Sequence, residues 1–238
     1  MDSNRGPLFW AVDAGNSSVK LGVFDGDTLT EVFQFNYPDF EREWHVLMQK
    51  HCPEKIVFSS VGPDMPQDFL AVATELKSGS KIPFTIQYEN PQTLGIDRIT
   101  ASMGAKEHFP ESKNMLVVDL GSCDTFTRVD DSNIQGLCII PGLEMRWKAM
   151  HHFTKKLPLV NGVEDISTAG TIQNLVDGGK VGWQMEVKAW IQHFCDFHDI
   201  DRVVLTGSDV VHLDTEKMKG VSIVPFLNLH GIKAWMND

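Results

Sequence analysis

The chain has 238 residues, 42% hydrophobic and 22% charged, enough for one large globular domain or two modest ones around a sizeable core. Its 32 acidic and 21 basic side chains give a net charge of −11, which disfavours binding to nucleic acid or to an anionic membrane. Four scattered cysteines suggest neither a structural zinc site nor a disulfide framework, and no stretch approaches the roughly 18 apolar residues of a membrane span, so a soluble, cytoplasmic protein is expected.

The first half of the chain reads as three strands followed by alternating helices and strands. Short apolar runs between Gly and Asp turns predict the strands, and apolar residues spaced three or four apart predict the helices. The predicted strands are 8–12, 19–24, 28–35, 55–60 and 82–87, and the predicted helices are 40–50, 67–77 and 97–109.

The second half opens with a repeat of the first. A strand at 115–118 runs into Asp119-Leu120-Gly121-Ser122, as the first strand runs into Asp13-Ala14-Gly15-Asn16, and each copy continues into a second strand and an acidic turn. The repeat predicts two similar half-domains, 1–110 and 111–238, packed together. The other predicted elements are strands 125–129, 134–140 and 202–206 and helices 143–156 and 171–198.

Each repeated turn places an Asp at the end of a buried strand and a Gly two residues later. Backbone N–H groups in such a turn bind anions, and the carboxylate holds Mg²⁺ directly or through water. One copy alone is better explained as a hairpin turn whose polar residues cap their own backbone. Two copies at equivalent points, closing on one cleft, favour a site for the phosphate chain of a nucleotide.

Five segments, in this order and at about this spacing, resemble those of the type III pantothenate kinases, a family of the actin/hexokinase/Hsp70 superfamily. They are DAGNSSVKLGVF, NPQTLGIDRITAS, VVDLGSCDTFTRVD, GLCIIPGLEMRWKAM followed by FTKKLP, and TIQNLVDGG. The resemblance implies an α/β fold of duplicated ribonuclease H-like (actin-like ATPase) half-domains, with mixed sheets flanked by helices. It also implies a homodimeric enzyme that uses ATP to phosphorylate pantothenate, the first step of coenzyme A synthesis.

The same resemblance implies roles for individual residues. ATP phosphates would lie on the first turn with Asp13 near Mg²⁺, Asp119 would hold a monovalent cation, K⁺ or NH₄⁺, and Asp97 would be the general base. The residues implied for the nucleotide are Asp13, Ala14, Gly15, Asn16, Ser17, Ser18, Val19, Lys20 and Ser122. The residues implied for pantothenate are Tyr88, Gly95, Ile96, Asp97, Arg98 and Thr171.

The chemistry of phosphoryl transfer agrees with these roles. The reaction needs positioning, neutralisation of charge by a metal ion and an acceptor for the hydroxyl proton, and Asp97 is suited to accept that proton. The planar guanidinium of Arg98 suits the carboxylate of pantothenate. At a helix N-terminus beside Arg98, Asp97 is expected to keep a low pKa and act as a weak base. Without the other motifs, this segment would be explained as a helix cap with a neighbouring surface charge.

The second turn departs from the family pattern. Ser122-Cys123-Asp124 occurs where small and Thr residues are usual, and Asp124 adds negative charge beside the expected phosphate site. It is expected either to recruit a cation or to weaken nucleotide binding. Three alternatives stay open: a non-catalytic regulator that binds nucleotide, another small-molecule kinase of this fold, and a phosphohydrolase of the superfamily.

Overall fold

The computed structural model describes residues 7–160, 162, 170–216 and 218–237. The helices are α1 (Tyr37–His51), α2 (Gln67–Leu70), α3 (Ile96–His108), α4 (Leu143–His152), α5 (Thr171–His198) and α6 (Leu227–Asn237). The strands are β1 (Leu8–Ala14), β2 (Val19–Asp25), β3 (Thr28–Phe35), β4 (Lys55–Ser60), β5 (Thr74–Glu75), β6 (Thr85–Ile86), β7 (Asn114–Asp119), β8 (Cys123–Asp130), β9 (Asn133–Pro141), β10 (Arg202–Thr206) and β11 (Val221–Ile223). None of these helices is both long enough and apolar enough to cross a membrane.

Contacts divide the described residues into two compact units. The first contains the residues up to Glu111, the segment Ser132–Gly136 and the residues from Phe226 onward. The second contains Ser112–Asp131 and the described residues from Leu137 to Pro225. The half-domains at 1–110 and 111–238 stay a prediction, and these units differ from them chiefly because the last helix belongs to the first unit.

The sheet of the first unit has the strand order β3-β2-β1-β4-β5. β1, β2 and β3 form an antiparallel meander, and β4 and β5 continue the sheet in parallel to β1. The central strands β1 and β4 are largely buried, which explains why both are nearly continuous apolar runs. The polar residues that interrupt β1 at its carboxyl end therefore lie at an edge of the buried sheet.

Helices α3 and α6 pack closely within the first unit because two glycines remove the side chains between them. A Cβ built at Gly231 would lie 1.7 Å from the carbonyl oxygen of Thr100, and one built at Gly104 would lie 2.3 Å from the carbonyl oxygen of Leu227. The backbones therefore approach to distances that no side chain would allow. This crossing brings the first turns of α6 beside the first turns of α3.

The second unit is built on β7, which pairs antiparallel with β8 and parallel with β10, while β11 continues the sheet beyond β10. The long helix α5 contributes Trp183, Val187 and Ile191 to the apolar core of this unit. β9 begins in the first unit, where Asn133 and Ile134 pair with β6.

Two predicted helices end earlier than expected. The prediction of a helix at 67–77 is wrong beyond Leu70, because Thr74 and Glu75 pair with β4 instead. The backbone N–H of Leu76 also donates to the carbonyl of Phe58 at 2.8 Å, so this segment satisfies the edge of the sheet. The helix predicted at 143–156 ends at His152. Neither β11 nor α6 was among the predicted elements.

Candidate functional site

The turn after β1 is held by backbone hydrogen bonds and by one tyrosine. The N–H of Gly15 donates to the carbonyl of Ser18 at 3.0 Å, and the Tyr37 hydroxyl donates to the carbonyl of Gly15 at 2.7 Å. Ala14 and Val19, at the two ends of the turn, are buried, whereas Asn16 and Ser17 at its tip are exposed. The implied nucleotide-binding residues therefore form a fixed, solvent-facing turn on a buried base.

Gly62 lies against this turn and leaves no room for a side chain. A Cβ built there would lie 2.1 Å from the Tyr37 hydroxyl oxygen and 2.3 Å from the carbonyl oxygen of Gly15. The N–H of the preceding residue, Val61, donates to the carbonyl of Ala14 at 3.0 Å. The chain following β4 thus supports the turn from the side.

Asp13 is buried, with 6% of its surface exposed, and lies directly across the strand pair from Lys20. Burial raises the pKa of Asp13, while the positive charge of Lys20 lowers it, the negative charge of Asp97 raises it and a hydrogen bond from Asn228 lowers it. The buried carboxylate of Asp13 and the half-buried carboxylate of Asp97 therefore interact electrostatically within the first unit.

Asp97 occupies the first turn of α3, as predicted, but its acidity differs from the expectation. Its Oδ1 accepts the N–H of Arg98 at 2.9 Å. Burial nevertheless raises the pKa of Asp97, outweighing the N–H of Arg98 and the positive charge of Arg98, which lower it. The expectation of a low pKa was wrong because it considered the helix end and Arg98 without the loss of water.

Arg98 is buried, at 4% exposure, and its guanidinium lies beside Tyr88 and Leu94 around a single glycine. A Cβ built at Gly136 would be 3.1 Å from Leu94 Cδ1, 3.1 Å from Tyr88 Cε2 and 3.2 Å from Arg98 Cζ. Two implied pantothenate residues, Tyr88 and Arg98, are therefore brought together, and Gly136 leaves the space between them.

The neighbouring implied pantothenate residues begin helix α3. Gly95 is the N-cap of the helix, and Ile96 is its buried first residue. A Cβ built at Gly95 would be 2.3 Å from Asp97 Oδ1, so a side chain at this position would collide with the carboxylate. Gly95 thus permits the observed orientation of Asp97.

Asn228, in the first turn of α6, is a site residue that the sequence analysis missed. Its side chain donates a hydrogen bond to Asp13, and its Oδ1 lies 3.4 Å from the hydroxyl oxygen of Thr100 on α3. Asn228 is buried, at 8% exposure, between the buried Leu227 and Leu229. A polar residue inside an apolar stretch was the available signal, but its partner lies at the other end of the chain.

The second turn is anchored differently from the first. Leu120 links it to β10, since its N–H donates to the carbonyl of Thr206 at 2.8 Å. The N–H of Gly142 donates to the carbonyl of Ser122 at 3.2 Å. Asp119, the last residue of β7, is half-buried, and a Cβ built at Gly207 would be 2.6 Å from Asp119 Oδ1 and 2.1 Å from the carbonyl oxygen of Leu120. Two oxygens therefore converge on the glycine.

From the sequence, Asp124 was expected to add negative charge beside the phosphate site, but its carboxylate is bonded inside the second unit. It is fully buried, its Oδ1 accepts the N–H of Gly121 at 3.1 Å, and its Oδ2 accepts the indole N–H of Trp183 at 2.5 Å. Burial raises the pKa of Asp124 to about 7, although the hydrogen bond from Trp183 lowers it. The negative charge of Asp209 adds to the increase. The departure from the family pattern is thus a buried brace between the turn and α5.

The remaining implied residues lie in the second unit at exposed positions. Ser122 is exposed in the second turn, and Thr171 is the exposed first residue of α5. Across the described part of the chain, no group of three or more His, Cys, Asp or Glu side chains has an arrangement suited to a metal ion.

The chain is similar to known proteins over nearly its whole length. A type III pantothenate kinase from Cytophaga hutchinsonii is 32% identical and covers 95% of this chain and 97% of its own. Two solved structures share the fold. A Baf-family protein from Campylobacter jejuni has a TM-score of 0.61 at 20% identity, covering 96% of this chain and 97% of its own. Component A of the (R)-2-hydroxyglutaryl-CoA dehydratase of Acidaminococcus fermentans has a TM-score of 0.56 at 12% identity, covering 97% of both chains.

The fold class expected from the sequence, an α/β actin-like ATPase fold with mixed sheets flanked by helices, is confirmed. The family model described as type III pantothenate kinase matches residues 9–193. Because this match spans most of the chain, and the Cytophaga relative matches nearly all of it, the chain belongs to the type III pantothenate kinase family.

Proposed function

We propose that this chain transfers the γ-phosphoryl group of ATP to the primary alcohol of pantothenate, the first step of coenzyme A synthesis. Membership of the family supports the reaction. The single observation that carries the proposal is the electrostatic interaction between the buried Asp13 and the half-buried Asp97 in the first unit. Perturbed acids at the end of a sheet and the start of a helix are typical of active sites.

In this proposal Asp97 is the general base. The alcohol oxygen of pantothenate attacks the γ-phosphorus, the bond from that phosphorus to the β,γ-bridging oxygen breaks, ADP leaves, and the hydroxyl proton moves to the Asp97 carboxylate. A raised pKa makes Asp97 a better proton acceptor than an ordinary carboxylate. A loose transition state tolerates late proton transfer, so the pKa need not reach that of the alcohol.

Asp13 is proposed to hold Mg²⁺. The residues fit a divalent cation, because burial raises the pKa of Asp13 and the negative charge of Asp97 raises it further. Mg²⁺ is commonly held by one or two carboxylates together with substrate phosphates, which agrees with the lack of a larger protein ligand set among the described residues. When bound, the ion would neutralise charge on the phosphates. Asn228 donates a hydrogen bond to the Asp13 carboxylate, and the positive charge of Lys20 partly balances its negative charge.

The other assignments follow the family pattern and are proposals of the same kind. Residues 14–20 would bind the ATP phosphates through the turn, and Ser122 would contact the nucleotide. Arg98 and Tyr88 would bind the carboxylate end of pantothenate, since an Arg fork matches a carboxylate in two hydrogen bonds. Gly95, Ile96 and Thr171 would complete the pantothenate site.

We also propose a monovalent cation, K⁺ or NH₄⁺, at Asp119. The carboxylate of Asp119 and the carbonyl of Leu120 converge at Gly207, and oxygen atoms are suitable ligands for such an ion. A homodimer working in the cytoplasm belongs to the same proposal and rests on the family alone. The regulator alternative loses its main support, because Asp124 is buried and bonded to Trp183.

The test replaces Asp97 with Asn and measures ADP release that depends on pantothenate, with and without K⁺. We expect kcat to fall by about 10²–10⁴-fold while ATP binding stays nearly unchanged. Asp64→Asn, at an exposed acid, is the matched control. Equal turnover by Asp97→Asn and the unsubstituted protein would refute the base. No turnover by the unsubstituted protein with any cation, despite ATP binding, would refute the kinase and favour the regulator.

A further inference from the structure

A cavity in the first unit is built entirely by residues without a role in the proposed reaction. Its volume is about 480 Å³, within the roughly 300–1,000 Å³ usual for sites that bind small organic molecules. It is lined by Lys55, Lys81, Ile82, Pro83, Trp235 and Met236. These residues come from the start of β4, the segment before β6 and the end of α6.

Trp235 organises this cavity. Its indole N–H donates to the carbonyl of Lys81 at 2.9 Å, which fixes the ring and joins the end of α6 to the segment before β6. The ammonium nitrogen of Lys55 lies 5.7 Å from the ring centroid. The cavity thus has one wall with a fixed aromatic ring and a cation held beside it.

The charge of the cavity is opposite to that of the protein. The chain has 32 acidic and 21 basic residues, yet two lysines and no carboxylate line this cavity. Among the residues that the structure describes, neither Lys55 nor Lys81 has a carboxylate within ion-pair distance. Other lysines of the first unit do, such as Lys77 with Glu75 at 2.9 Å and Lys233 with Asp27 at 2.8 Å.

We propose that this cavity is a binding site for a small organic phosphate, a phosphate monoester carried on an aromatic or apolar group. The two ammonium groups would bind the phosphate, because a lysine is a compact charge that pairs well with a dianion. The aromatic or apolar part would pack on Trp235, Ile82 and Met236. The ligand class follows because the cavity is lined both by an apolar wall and by two lysines that have no carboxylate partner in the described part of the chain.

Isothermal titration calorimetry at low ionic strength with 1-naphthyl phosphate tests the site, with inorganic phosphate and 1-naphthol as partial ligands. We expect the full ligand to bind more tightly than either partial ligand. The double variant Lys55→Gln/Lys81→Gln should bind it at least about fivefold more weakly, since each exposed charge pair contributes modestly. Trp235→Phe, which keeps a ring but loses the N–H, should weaken binding less.

The matched control is Lys148→Gln/Lys180→Gln, which also removes two positive charges, but from helices α4 and α5 outside the cavity. It should bind like the unsubstituted protein, and both double variants should keep the same pantothenate-dependent ADP release. Equal affinity in the two double variants would overturn the proposal, as would equal affinity for 1-naphthol and 1-naphthyl phosphate or the lack of any binding. Because binding is measured without turnover, these outcomes are independent of the proposed reaction.

Discussion

Two consecutive glycines of helix α5, Gly178 and Gly179, should respond in opposite ways to replacement by alanine. Both belong to the TIQNLVDGG segment that is shared with the family. A Cβ built at Gly178 has nothing within 4 Å, and this residue is exposed. Because glycine inside a helix costs about 0.5–1 kcal/mol relative to alanine, Gly178→Ala should stabilise the protein by about that amount.

Gly179→Ala should destabilise it. The added Cβ would lie 2.0 Å from Trp147 Nε1, whereas carbon contacts are comfortable at about 3.5–4.0 Å, so the ring or the helix has to move by about 1.5 Å. Trp147 is buried, and its N–H donates to the carbonyl of Leu175 at 2.9 Å. Overpacking of about 1–3 kcal/mol and a weakened hydrogen bond of about 1 kcal/mol exceed the gain in helix propensity. The net loss should be roughly 1–3 kcal/mol.

Urea denaturation followed by circular dichroism measures both changes. The added substitution Trp147→Phe, which removes the colliding nitrogen, should reduce the cost of Gly179→Ala in a double-mutant cycle. Equal stability of the two alanine variants would show that Trp147 does not constrain α5 as the distances indicate.

Two further predictions concern the turns. Burial raises the pKa of Asp124 from 3.8 to about 7. Between these two pH values, the folded protein therefore holds a proton that the unfolded chain has lost. The free energy of unfolding should fall as the pH rises through this range, by up to about 4 kcal/mol. Asp124→Asn, which cannot ionise, should flatten this part of the profile of urea midpoints, and identical profiles would contradict the assignment. Gly62→Ala should raise the KM for ATP by about tenfold, because overpacking of about 1–3 kcal/mol against Tyr37 and Gly15 displaces the first turn. Gly79→Ala, where an added Cβ has nothing within 4 Å, is its control, and an unchanged KM in Gly62→Ala would refute the role of Gly62.

The sequence predicted features that depend on local pattern. The apolar run of β1 followed by Asp13, and that of β7 followed by Asp119, placed both turns where the structure has them. The same kind of local pattern placed Asp97 at the start of a helix. These features were accessible because apolar periodicity and turn residues act over a few positions.

Features set by distant residues were not predictable. The burial that raises the pKa of Asp97 and the bond from Trp183 to Asp124, 59 residues away, leave no mark in a short window. The segment after Leu70 forms a strand because its residues hydrogen-bond to the edge of β4. This pairing outweighs the helical pattern of the segment. Asn228 was missed because its partner, Asp13, lies far away in the sequence.

The contribution of α6 to the first unit has a consequence for how the protein is made. Lys233 pairs with Asp27, 206 positions earlier, and Asn228 supplies the amide that bonds to Asp13. On the ribosome, the hairpin of β1 and β2 emerges long before Asn228 and Lys233 are synthesised. It therefore lacks these two contacts while the second unit is being translated. Such non-local closure slows folding, and the proposed active site reaches its final hydrogen bonding only after residue 228 has been translated.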